Sequence, residues 1–146
     1  EGRISKDNIN SNARFAMWEH LQSRFYTNKQ IQGSGTGSVQ NYMYTHRIFG
    51  GLKVPHNDYV QMLCDNGIIA VIIYILAGLT LIFHALSIYD HSRSSIVQIC
   101  AITAGSSMTG LLLTLCSDNV VNYSMATLSM PFGFYGMLLG LNKQNK

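Results

Sequence analysis

Residues 67–89 carry no Asp, Glu, Lys or Arg. At about 1.5 Å per residue, such a run forms roughly 35 Å of helix, enough to cross a hydrocarbon core of about 30 Å with some tilt. Two more uncharged runs follow, 96–116 and 123–141, and between residues 94 and 142 the one formal charge is Asp118. The linkers, 90–95 and 117–122, are short. Three such runs leave almost no polar face for water. The fold class expected is therefore all-α and integral to a membrane, with three transmembrane helices preceded by an extracytoplasmic helical loop. Buried core helices of a soluble protein are the weaker reading.

The averages hide this division. Mean hydropathy is only +0.13, because residues 1–66 hold most of the charged side chains. The net charge of +3 and the lack of a basic cluster give no footing for nucleic acid. Cys64, Cys100 and Cys116 are too scattered for a disulfide framework or a zinc site. The chain opens on Glu1 without a signal-peptide pattern, which suggests a fragment of a larger protein.

Positive charge near the ends of the runs sets the expected orientation. Arg93 lies in the first linker, and Lys143 and Lys146 lie in the tail, 142–146. The second linker has Asp118 and no cation. The first linker and tail are thus expected in the cytoplasm, and the second linker and residues 1–66 outside. Pro131 is expected to kink the third run. Ala101 with Gly105, Ser106 with Gly110 and Gly136 with Gly140 are spaced for close helix packing.

In the outer segment, residues 12–27 read as a helix. Phe15, Trp18, Leu21 and Phe25 recur every three or four residues, and Asn10, Ser11 or Asn12 is placed to cap it. "GSGTGS" (33–38) is a flexible turn, or else a nest of backbone N–H groups for an anion such as a pyrophosphate. It lacks the Lys and the preceding strand of a phosphate-binding loop. Residues 39–55 show no clear period. Pro55 suits the start of a helix over about 56–66 that runs into the first span through Gly67. His56 opens that helix, and histidine is the side chain best suited to take a proton near neutral pH. Arg14 lies off the apolar stripe, where its guanidinium suits phosphate oxygens. His20, His46 and His91 read as structural, and His84 as a neutral histidine near the inner end of the first span. No metal site can be assembled.

Together, "RFAMW" (14–18), "GSGTG" (33–37) and "PHNDYVQMLCDNGIIA" (55–70) resemble the O-antigen ligase and O-antigen polymerase superfamily of bacterial membrane glycosyltransferases. The resemblance covers residues 12 to about 90; the last two runs match in hydropathy alone. It implies a multi-pass protein of the bacterial cytoplasmic (inner) membrane. This chain would be the C-terminal part, following an N-terminal transmembrane part of the same protein, with residues 1–66 as an extracytoplasmic catalytic loop. The implied donor is an undecaprenyl-pyrophosphate-linked glycan, the acceptor a sugar hydroxyl, and transfer needs neither metal nor cofactor. His56 resembles the family's catalytic histidine and Arg14 its pyrophosphate-contacting arginine. Asn57, Tyr59, Gly33, Gly35 and Gly37 are expected on the substrate-binding side. Polymerase is slightly favoured over ligase, because no extra basic cluster suggests a phosphorylated acceptor. The alternative is a non-catalytic polytopic component, such as a transporter or scaffold subunit.

Overall fold

The computed structural model describes residues 12–46, 52–123 and 125–145, and among these every regular element is a helix. The order is α1 (Asn12–Phe25), α2 (Ser38–His46), α3 (Asp58–His91), α4 (Ser95–Thr114), α5 (Val120–Tyr123) and α6 (Met125–Gln144). The chain divides into two compact units, Glu1–Ile72 with Ser117–Asn119, and Ile73–Cys116 with Val120–Lys146.

In the first unit α1 ends close to where its periodicity suggested. Its buried face is rotated, however: Met17 and Leu21 are fully buried, while Phe15 is 62% exposed. At 100° per residue, Met17, Trp18, Leu21 and Phe25 fall on one arc, and Phe15 lies about 110° from its centre. The candidate caps Asn10 and Ser11, and the side chain of Asn12, lie outside the described residues. α2 was not expected. Its Val39, Tyr42 and Met43 join Met17, Leu21, Val60 and Cys64 in one apolar cluster.

α3 begins at Asp58, two residues later than expected. Asn57 supplies the reason, since its Oδ1 accepts the N–H of Val60 at 2.9 Å and so satisfies a free donor of the first turn. The helix breaks at Gly67, whose backbone is non-helical at φ 80° and ψ 176°.

Among the described residues two helices are long and apolar enough to cross a membrane; a third span is not shown. α3 reaches a mean hydropathy of 2.5 with 17% of that stretch buried, and α4 reaches 1.7 with 33% buried. Core helices of soluble proteins with this composition are mostly buried. The third expected span, 123–141, falls in α5 and α6, and α6 does not match the other two. Ser129, Pro131 and three glycines dilute its apolar residues, and it ends on Asn142, Lys143 and Gln144.

In the second unit Ala85 and Ile88 of α3 pack with Val97, Ala101 and Ala104 of α4 and Leu138 of α6. Of the three small-residue pairs, Ala101 with Gly105 is buried. A side chain at Gly110, Gly136 or Gly140 would meet nothing within 4 Å, so those positions bring no helices together among the described residues. His84 Nδ1 is hydrogen-bonded to the hydroxyl of Tyr135, and Pro131 is buried inside α6.

Candidate functional site

The glycine turn is built around the break in α3. Because Gly67 leaves the helix, the N–H of Ile68 donates to Gln30 O at 2.9 Å rather than continuing the helical ladder. The freed carbonyls of Cys64 and Asp65 instead accept the N–H groups of Ser34 and Gly35, at 2.9 and 2.8 Å. Two backbones thus lie in direct contact. A Cβ on Gly33 would stand 2.4 Å from the Asp65 carbonyl, and one on Gly67 2.2 Å from the Ile31 oxygen. Both glycines have positive φ, which other residues adopt at a cost.

The Asp65 side chain then closes the loop. Its carboxylate accepts the N–H of Gly37 at 3.0 Å and of Val39 at 2.9 Å, capping α2 from a distant part of the chain. Burial raises the Asp65 carboxyl above its ordinary range, outweighing the Val39 and Gly37 N–H groups and Gln61, which pull it down. Burial, then the adjacent Asp65, pushes the Cys64 thiol up to about 12. The N–H of Gly33 donates to Lys29 O at 2.7 Å. The turn is therefore a nest, but the anion it holds is the protein's own Asp65. Gly33, Gly35 and Gly37 had been expected on the substrate-binding side; here their N–H groups donate to Lys29 O, Asp65 O and the Asp65 carboxylate.

Above this clasp lies "PHND". The indole N–H of Trp18 donates to Pro55 O at 2.7 Å, which pins the turn of α1 carrying Arg14 beside the loop. His56 has φ 51°, a left-handed conformation that costs about 1 kcal/mol or more in a residue with a Cβ. Its Nδ1 lies 3.2 Å from Asp118 Oδ1, with side-chain exposures of 25% and 55%. The Asn119 N–H first, then His56, and further the charge of Arg14 hold the Asp118 carboxyl below the usual carboxylate range. Arg14, His56 and Asp118 therefore share one electrostatic neighbourhood.

Asn119 locks that neighbourhood to α3. It is fully buried, and its Nδ2 donates to Asp58 Oδ1 and Gln61 Oε1, both at 3.0 Å. Gln61 also bonds to Asp65. A polar chain runs from the cap of α2 through Asp65, Gln61 and Asn119 to Asp118 and His56. Asn57 caps α3, and Tyr59 is half-buried in its first turn. Asp118, Asn119 and Gln61 are the residues that sequence reasoning missed. The one available signal was Asp118 itself, the sole charge in a long apolar stretch.

No protein-family model, curated protein or solved structure matches this chain.

An ionised carboxylate only accepts, so in the His56–Asp118 contact Nδ1 carries a proton, and in a neutral ring Nε2 is the nitrogen with the lone pair.

Proposed function

We propose that this chain is part of a membrane glycosyltransferase of bacterial surface-polysaccharide assembly, of the O-antigen ligase or polymerase type. It transfers or polymerises glycan from an undecaprenyl-pyrophosphate donor onto a sugar hydroxyl, in the cytoplasmic membrane with its catalytic unit outside. The observation carrying the reading is the His56–Asp118 pair at 3.2 Å, with Arg14 acting on the same carboxylate. The motif resemblance supports it. So does the chain that follows, since a short helical stretch after His56 leads directly into the apolar run of α3. A lipid-linked donor keeps its tail in the bilayer and its pyrophosphate at headgroup level, so catalytic groups belong near the mouth of such a helix.

In this mechanism Nε2 of His56 takes the proton of the acceptor hydroxyl as its oxygen attacks the anomeric carbon. The bond from that carbon to the pyrophosphate oxygen breaks, and undecaprenyl pyrophosphate leaves with the electron pair. Asp118 orients the ring and stabilises the imidazolium that forms. Arg14 offers a bidentate fork to the departing phosphate oxygens. General-base plus electrostatic catalysis suffices, because the leaving group is already a good one.

The test uses the purified full-length protein, a synthetic undecaprenyl-pyrophosphate-linked donor and EDTA. Wild type should turn over, and His56→Ala should lose about 10²–10⁴ in rate with donor binding nearly intact. Near-normal rates in His56→Ala, or loss of wild-type activity in EDTA, would rule out this mechanism. No donor turnover under any condition would favour a non-catalytic membrane component.

A further inference from the structure

The second unit holds a cavity of about 720 Å³ where α3 ends, α4 begins and α6 finishes. Its wall includes His91, Ser92, Arg93, Ser94, Asn142 and Asn145, with Ile88 its one apolar member. A wall this polar is unexpected in a unit whose helices otherwise present aliphatic side chains. No Asp or Glu lines it, although Asp90 is a sequence neighbour of His91. The wall thus carries positive charge without a compensating acid.

Its donors remain available. Among the described residues Arg93 has neither ion pair nor hydrogen bond to the protein. The Ser92 hydroxyl oxygen accepts the N–H of Ser94 at 3.2 Å, which leaves its O–H free to donate. Ser94 precedes α4 without forming a side-chain cap bond. His91 donates through Nδ1 to Ser87 O at 2.8 Å, so in the neutral ring Nε2 accepts and the cavity's donors are Arg93, the serines and the amides. A guanidinium fork beside hydroxyls and amides, with no acid present, matches the oxygens of a phosphate.

The surroundings specify the kind of phosphate. Phe83 and Leu86 near the end of α3 are 64% and 48% exposed, and Ile96 and Ile99 at the start of α4 are 64% and 63% exposed. The polar cavity therefore borders a belt of bare apolar side chains on the two helices apolar enough to cross a membrane. An amphiphile with an anionic head and acyl tails satisfies both surfaces, whereas a free anion satisfies one. A volume of this size accommodates a headgroup, and basic pockets between helix ends hold anionic headgroups. We propose that this cavity is a binding site for a phosphodiester headgroup, occupied by an anionic phospholipid of the leaflet on the Arg93 side. The site is separate from His56 and does not depend on the glycosyltransferase reading.

The experiment is native mass spectrometry of the full-length protein in detergent, titrated in turn with phosphatidylglycerol, phosphatidylcholine and inorganic phosphate. Wild type should retain phosphatidylglycerol at least tenfold more tightly than phosphatidylcholine. Arg93→Gln should abolish that preference, and Arg93→Lys should keep part of it, since charge survives and the fork does not. Should Arg93→Gln fail to fold, the double variant Ser92→Ala with Asn142→Ala carries the same expectation of a weakened preference. Tight binding of inorganic phosphate without lipid preference would overturn the lipid as occupant. Equal retention of both lipids, or an unchanged preference in the Arg93 and double variants, would overturn the site.

Discussion

The decisive contacts at the residue scale are made by side chains that nothing in the local sequence brings together. His56 and Asp118 lie far apart in the chain and meet at 3.2 Å. Asp118 is held below its ordinary range by the Asn119 N–H, by His56 and by Arg14. The sign of its pH dependence follows. A depressed carboxylate stabilises the fold above the unfolded-state value of about 3.9, and loses that contribution as pH falls through the lower folded value. The pair should therefore persist through the neutral range. The Asp118 titration, followed by carboxyl-carbon NMR, should have its midpoint below about 3.9. His56→Gln combined with Arg14→Gln should move it upward, while the Asn119 N–H keeps part of the depression. A wild-type midpoint at or above the ordinary value would remove the proposed coupling.

At the scale of elements, glycines and one buried acid decide where helices begin and end. Gly33 and Gly67 are the two places where backbones touch, and Asp65 caps α2 from across the unit. A graded response follows. Gly33→Ala and Gly67→Ala combine the positive-φ cost with a collision against backbone, and should each destabilise by about 2–4 kcal/mol. Gly37→Ala carries the φ cost alone, since nothing lies within 4 Å of its missing Cβ, and should lose about 1 kcal/mol. Urea unfolding of the three variants checks the order, and equal losses would contradict the clasp. Residues 39–55 showed no clear period, so the helix over Ser38–His46 was not legible beforehand. Nine residues fall below the length at which helices stand alone in water, and the cap that stabilises this one comes from Asp65.

For the whole molecule the question is which side of a membrane each segment occupies. Ser117–Asn119 belong to the same compact unit as the residues up to Ile72, and both segments are expected outside by the placement of Arg93, Lys143 and Lys146. Single cysteines in a cysteine-free background should react with an impermeant maleimide from outside at Thr36→Cys and Ser117→Cys, and at Ser92→Cys only after the membrane is opened. Labelling of Ser92→Cys in intact cells would invert the topology, and with it the leaflet that supplies the phosphate headgroup.

Composition and periodicity by themselves were enough for an all-helical chain, for the apolar stretches within α3 and α4, for α1, and for a helix starting near "PHND". Those features depend on hydropathy and helical spacing, which are properties of neighbouring residues. The third run, 123–141, is not shown as a span; Pro131, the glycines and the polar end lower the apolarity of α6. Tertiary structure decided the rest. It turned the buried face of α1 toward Met17, gave the glycine turn to Asp65, and brought Asp118 to His56. Each of these depends on a partner distant in sequence, reached only when the chain has closed on itself, and no local pattern encodes the identity of that partner.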